Sequence, residues 1–274
     1  HVPAAMAEAL AKLKALKAVA APAVATHAAP APAAVVYNAA QQEAIALAAQ
    51  GKGFCLIGAA GTGKTTTVMQ IVASAMEVYG AEAIANVAFT RRAVRNIRKA
   101  CNRIPDKYAA SQAVQRCSTI HALLKFSPVQ YDYMNDAGEA FVTTRFEPQF
   151  TADAPLESLR LVIVDEASMI HLEMMAALLD ALPLTARVIF LGDKDQLASV
   201  EAGAVLGELC RRAQQGHYSA ESVAWLAGVT GEQVGAELVD PAGRPIDQAV
   251  AMLRHSYRFG GDSGSICCFC IGNV

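Results

Sequence analysis

The sequence predicts an α/β fold, a mainly parallel sheet flanked by helices, and three stretches carry that prediction. Ile57-Gly58-Ala59-Ala60-Gly61-Thr62-Gly63-Lys64-Thr65-Thr66 fits G-x-x-x-x-G-K-[ST], set between the apolar run Phe54 to Ile57 and the helically spaced Thr66 to Tyr79. Leu161 to Val164, four apolar and mostly β-branched residues, runs straight into two carboxylates, Asp165 and Glu166. Arg187 to Leu191 repeats the pattern and breaks at Gly192. Short apolar runs alternating with helical segments read as strands of one sheet with helices packed on it.

The first stretch carries local chemistry. Glycines let the backbone curl so that successive N–H groups point inward at phosphate oxygens, and the helix that follows adds its positive N-terminal end. Gly58, Gly61, Thr62, Gly63, Lys64, Thr65 and Thr66 are therefore the candidate nucleotide-binding loop. Lys64 would reach the β- and γ-phosphates and the Thr65 hydroxyl would hold Mg²⁺. The strand–loop–helix setting separates this loop from a Gly-rich turn that binds nothing. It points to a nucleoside triphosphate without saying what the energy drives.

Composition narrows the class. A chain of 274 residues holds one large domain, or one domain with appendages. A net charge of −2 and a pI near 6.3 exclude bulk-charge attraction to nucleic acid, so such binding must come from local patches. The hydrophobic fraction of 54% is inflated by alanine. The longest uncharged stretch, Ala18 to Gln42, is interrupted by Pro22, Pro30 and Pro32, so no membrane span is expected. No secretory signal is recognisable, and the seven cysteines lack metal-ligand spacing, which reads as reduced thiols in a cytoplasmic protein. The start at His1 reads as a fragment or a processed chain.

Residues 1–35 are Ala-rich with some Pro and are expected to be a low-complexity tether. Asn38 is placed to cap a helix running to Gln50. Within it, Gln41 has two readings: its amide meets an adenine edge with one donor and one acceptor, or it is a solvated helix residue. Asn86 to Thr90 reads as a second strand feeding the basic helix Arg91 to Lys99. Arg91, Arg95 and Arg98 recur at helical spacing and share a face, suited either to a phosphate backbone or simply to solvent. Val114 to Thr119 reads as a third strand, followed by a helix capped by Ser118 or Thr119 and bearing His121.

Val129 to Met134 and Ala140 to Phe146 flank an Asn/Asp/Gly turn, which predicts a β-hairpin inserted at about 127–150. Its aromatics either stack on bases or pack back onto the body. Asp165 and Glu166, at the C-terminal edge of a buried strand where ligands bind in open α/β sheets, are candidates to hold Mg²⁺ and to activate the attacking water. A helix is expected from His171 to Leu182, and Gln196 is placed to sense the γ-phosphate or to face water. Helices are expected at Ala204 to Arg212, Ser219 to Ala227 and Gly243 to Leu253.

In this order, YNAAQQEAI, IGAAGTGKTTT, VAFTRRAVRNI, STIHALLKF, LVIVDEASM, VIFLGDKDQLASVEAGAVLGELC and LRHSYRFGGDSG resemble superfamily 1 helicases of the RecD type, over roughly 36–264. The resemblance implies a RecA-like P-loop domain that uses ATP and Mg²⁺ to move on single-stranded DNA, commonly 5′ to 3′, in recombination or repair. It also implies partner subunits where relatives work in a nuclease–helicase complex. Carried over by motif, Gln41 reads adenine, Gln196 couples the γ-phosphate to movement, and Arg258 is an arginine finger. Thr90, Arg91, Ser118, Thr119 and His121 fall in motifs that line the DNA path, and the hairpin falls where relatives carry a strand-separating pin. After Gly264 the family pattern breaks off and 265–274 form an atypical Cys-rich tail. A second motor domain is thus expected to be missing, with weakened nucleotide binding and slow hydrolysis.

Overall fold

In the computed structural model, residues 36–134, 139–193 and 205–256 are described. Six strands form one sheet in the order β3-β2-β6-β7-β1-β8: β1 Phe54–Gly58, β2 Ile84–Ala88, β3 Cys117–Thr119, β6 Leu161–Asp165, β7 Arg187–Gly192 and β8 Val250–Leu253. Every pairing in it is parallel. The helices are α1 Ala39–Ala49, α2 Lys64–Tyr79, α3 Arg91–Cys101, α4 Lys107–Gln115, α5 Ile120–Leu123, α6 Leu172–Asp180, α7 Val205–Leu209 and α8 Ala220–Thr230.

Strand side chains alternate between two cores, because successive residues point to opposite faces. Phe54, Leu56, Leu161, Ile163, Ile189 and Leu191 face α1 to α4. Cys55, Ile57, Val162, Val164, Val188 and Phe190 face α5, α6 and α7. Both faces are covered, which is why these strands read as unbroken apolar runs. Each such side chain contributes about 1.5–3 kcal/mol on burial.

Local capping follows the sequence. Asn38 and Gln41 form a reciprocal capping box on α1, with Gln41 N–H donating to Asn38 Oδ1 at 2.9 Å and Asn38 N–H donating to Gln41 Oε1 at 3.0 Å. Ser219 caps α8 by accepting from Ser222 N–H at 3.2 Å.

Several boundaries differ from expectation. β2 lies two residues upstream of Asn86 to Thr90, and Thr90 instead caps α3 by accepting from Ala93 N–H at 3.1 Å. β3 begins at Cys117, because Val114 and Gln115 complete α4. Thr119, rather than Ser118, caps α5. The helix expected over Gly243 to Leu253 is reduced to one 3-10 turn, Asp247–Ala249, and its last four residues are β8, paired with β1 through Cys55↔Val250 to Gly58↔Leu253. Four consecutive apolar residues cannot distinguish a buried helix turn from a buried strand. Here the partner decides: the outer backbone groups of β1 would otherwise be buried without hydrogen bonds.

The insertion forms a separate antiparallel hairpin, β4 Ser127–Met134 with β5 Ala140–Glu147. Tyr131, Tyr133 and Phe141 pack on one another. Tyr133 stacks on Phe141 at 5.8 Å, and the Arg145 guanidinium lies 5.8 Å from the Tyr131 ring and 5.6 Å from that of Tyr133. Phe141 and Phe146 stay exposed.

Candidate active site

The phosphate loop leaves β1 at Gly58 and enters α2 through Gly63. Gly61 and Gly63 take φ of 84° and 88°, a left-handed conformation that costs a side-chain-bearing residue and that glycine adopts freely. Thr62 is buried and its hydroxyl donates to Ala59 O at 2.9 Å, bracing the loop. Thr65 and Thr66 stand exposed on the first turn of α2. The Lys64 ammonium folds back onto its own loop, donating to Gly58 O and, at 2.9 Å, to Ala59 O. Gly58 does not line the cleft; it packs against β8 and the Thr62 hydroxyl.

Asp165 is the last residue of β6, and Glu166 turns the chain at once with φ 51° and ψ 41°. A glutamate in this left-handed region is strained by about 1–3 kcal/mol, and such strain clusters at functional sites. Glu166 N–H donates to Asp165 Oδ1 at 2.9 Å. Burial raises the Asp165 carboxyl above its usual range, against this hydrogen bond and the Lys64 charge. Burial and the neighbouring Asp165 charge raise Glu166, with Arg92 opposing. Lys64 is lowered by burial, with Asp193 and Asp165 opposing.

One cleft of about 750 Å³ brings Gln41, Gly61 to Thr66, Asp165 and Glu166 together. The acid pair therefore lies on the same side of the sheet as Lys64. Gln41 is buried, which overturns its reading as a solvated helix residue. Gln196 and Arg258 lie outside the described residues. Asn96, Lys99, Arg103, Ser168 and Asp193 also line the cleft, and the motifs did not point to them. The signal for Asn96, Lys99 and Arg103 was present as a second helical row, spaced three and four residues apart, beside the arginine row.

Arg91, Arg95 and Arg98 do share a face. With Val94, Ser118, Thr119 and Ala122 they line a second groove of about 430 Å³. Arg98 Nη2 donates to Cys117 O at 2.9 Å, fixing α3 against β3. Thr90 and His121 are not in that groove. Thr90 is spent as a cap, and the His121 ring packs 5.8 Å from Phe89 and 5.1 Å from Phe126. Burial, with the nearby His171, lowers the His121 imidazole. Among the described residues no cluster of three or more His, Cys, Asp or Glu could hold a metal ion, and no helix is long and apolar enough to cross a membrane.

A parallel sheet with a phosphate loop after β1 and an acid pair ending a second central strand defines a RecA-like P-loop nucleotide-binding domain. The profile of the AAA domain family matches residues 41–202, more than half of the chain, and the chain belongs to that family. It is 36% identical over 234 residues to the RecBCD enzyme subunit RecD of Haemophilus influenzae, covering 82% of this chain and 33% of that protein. Identity to RecD of Mycobacterium tuberculosis is 33% over 220 residues, covering 77% and 30%. To the ATP-dependent RecD2 DNA helicase of Deinococcus radiodurans it is 35% over 158 residues, covering 58% and 18%. These likenesses bear out the RecD-type resemblance. The chain spans about a third of the length of the RecD subunits it matches.

Proposed function

We propose that this chain is the motor part of an ATP-dependent DNA helicase. It binds and hydrolyses ATP with Mg²⁺ and moves on single-stranded DNA, 5′ to 3′, in cytoplasmic recombination or repair. The observation that carries this reading is the single cleft holding Lys64 and the Asp165–Glu166 pair. The names of the relatives support the DNA-helicase part, and RecD is a subunit of an enzyme, so partner subunits belong to the proposal.

The inward-turned backbone of Gly61 to Gly63 and the positive end of α2 bind the phosphates. Lys64 leaves its loop carbonyls to meet the β- and γ-phosphate oxygens. Gln41 Oε1 is engaged by Asn38 N–H, so its amide Nε2 is the edge that meets adenine. The Thr65 hydroxyl and the Asp165 carboxylate are hard oxygen donors in one cleft, and a buried carboxylate favours a cation beside it. Thr65 and Asp165 would hold Mg²⁺ there, and what it would supply is charge neutralisation on the phosphates. Glu166 takes the proton of the attacking water, and its raised pKa makes it a better base than an ordinary glutamate. Gln196 senses the γ-phosphate, and Arg258 stabilises the charge of the transition state.

The groove of Arg91, Ser118 and Thr119 holds the nucleic-acid backbone, with Thr90 and His121 shaping its border. The hairpin at 127–150 separates strands, residues 36–264 make up the motor domain, and 1–35 and 265–274 flank it. ATP turnover measured with and without single-stranded DNA tests the reading. Stimulation by DNA that vanishes in Lys64→Ala is expected, and equal stimulation by RNA of the same length would redirect the reading to RNA.

A further inference from the structure

Helix α3 presents two basic rows. A turn of 100° per residue sets Arg91, Arg95 and Arg98 along one line and Arg92, Asn96 and Lys99 along another. The first row lines the 430 Å³ groove. The second faces the nucleotide cleft: Asn96, Lys99 and Arg103, which lies just past the helix, line it together with Lys64, Thr65 and Thr66. Arg92 acts on the Glu166 carboxyl.

The charges of this cleft show why the second row matters. Among the described residues its lining carries the carboxylates of Asp165, Glu166 and Asp193 and the cations of Lys64, Lys99 and Arg103. Lys99 and Arg103 thus supply two of the three cations in that lining, on the α3 side of the cleft and across from the phosphate loop. Lys99 and Arg103 are exposed, and their side chains make no hydrogen bond or ion pair with another described residue. Arg103 brings a planar fork suited to two phosphate oxygens, while Lys99 brings a compact point charge.

We propose that Lys99 and Arg103 form a second cationic wall of the nucleotide cleft that binds the polyphosphate from the side of α3. The inference rests on the reading of this cleft as the ATP site.

The test is a fluorescence titration of the full 274-residue chain with an N-methylanthraniloyl ATP and Mg²⁺. Lys99→Gln with Arg103→Gln is expected to weaken binding about tenfold or more. Lys107→Gln on α4, outside the cleft, is expected to leave it within about twofold, with thermal melting of each variant as the folding control. If the double variant does not fold, the two single variants read the same quantity. Binding within about twofold of wild type in folded variants would overturn the proposal. Lys64→Ala separates the two failures: if it also binds like wild type, the ATP reading of the cleft fails. If it alone loses binding, only the second wall fails.

Discussion

Gly58 of β1 lies so close to Leu253 of β8 that a Cβ on it would stand 2.7 Å from the Leu253 carbonyl oxygen and 2.7 Å from Thr62 Oγ1. Contacts of 2.7 Å do not occur for real Cβ atoms, and neither a parallel strand pair nor the loop brace can give way cheaply. Gly58→Ala is therefore expected to destabilise the chain by about 1–3 kcal/mol, seen as a lower Tm in thermal denaturation. An unchanged Tm would mean that β8 does not pair with β1 as described.

Glu43, on α1, is fully buried with the Tyr218 hydroxyl 3.4 and 3.5 Å from its two oxygens. Burial pushes its carboxyl up to about 8 from an ordinary 4.5, against the Tyr218 hydrogen bond and the Arg254 charge. Below 4.5 the folded and unfolded chains are both protonated and the stability is fully present. Between 4.5 and about 8 only the unfolded chain releases the proton, so stability is lost as pH rises to about 8. Glu43→Gln removes this linkage. Its Tm should gain on wild type across that window by the equivalent of up to about 1.4 kcal/mol per pH unit, and a pH-independent difference would contradict it.

Glu166 is raised by burial and by Asp165. Hydrolysis needs it unprotonated, so the acid limb of the pH–rate profile should lie above the ordinary carboxylate range. Single-turnover rates from pH 4 to 8, an interval of about four units around the ordinary carboxylate range, check this.

Arg95 lines the groove beside α3 without lining the nucleotide cleft. Arg95→Ala should weaken single-stranded DNA binding uniformly across sequences. It should also reduce the slope of log affinity against log salt by about one unit. Fluorescence anisotropy at several salt concentrations reads this directly, and an unchanged slope would remove Arg95 from the phosphate contacts.

Much of this was legible in the sequence because the signals were local. The phosphate loop, the Asn38 cap, the hairpin and the acids at the end of β6 each rest on neighbouring residues whose chemistry has few alternatives. β8 was not legible, since Val250 to Leu253 becomes a strand only through β1, nearly 200 residues earlier in the chain. The burial of Gln41 and the cleft-facing row of Lys99 and Arg103 depend on how α1 and α3 pack beside the loop. Motif spacing carries none of that. The cap made by Thr90 and the ring contacts of His121 with Phe89 and Phe126 likewise depend on packing rather than on motif spacing.

The most direct test of the central claim is single-turnover hydrolysis of ATP by the Glu166→Gln chain, with nucleotide binding measured on the same sample. Binding should persist while the rate falls by about 10²–10⁴, because the base is lost and the phosphate loop is intact. Hydrolysis at the wild-type rate would show that Glu166 does not act on a nucleotide held by Lys64.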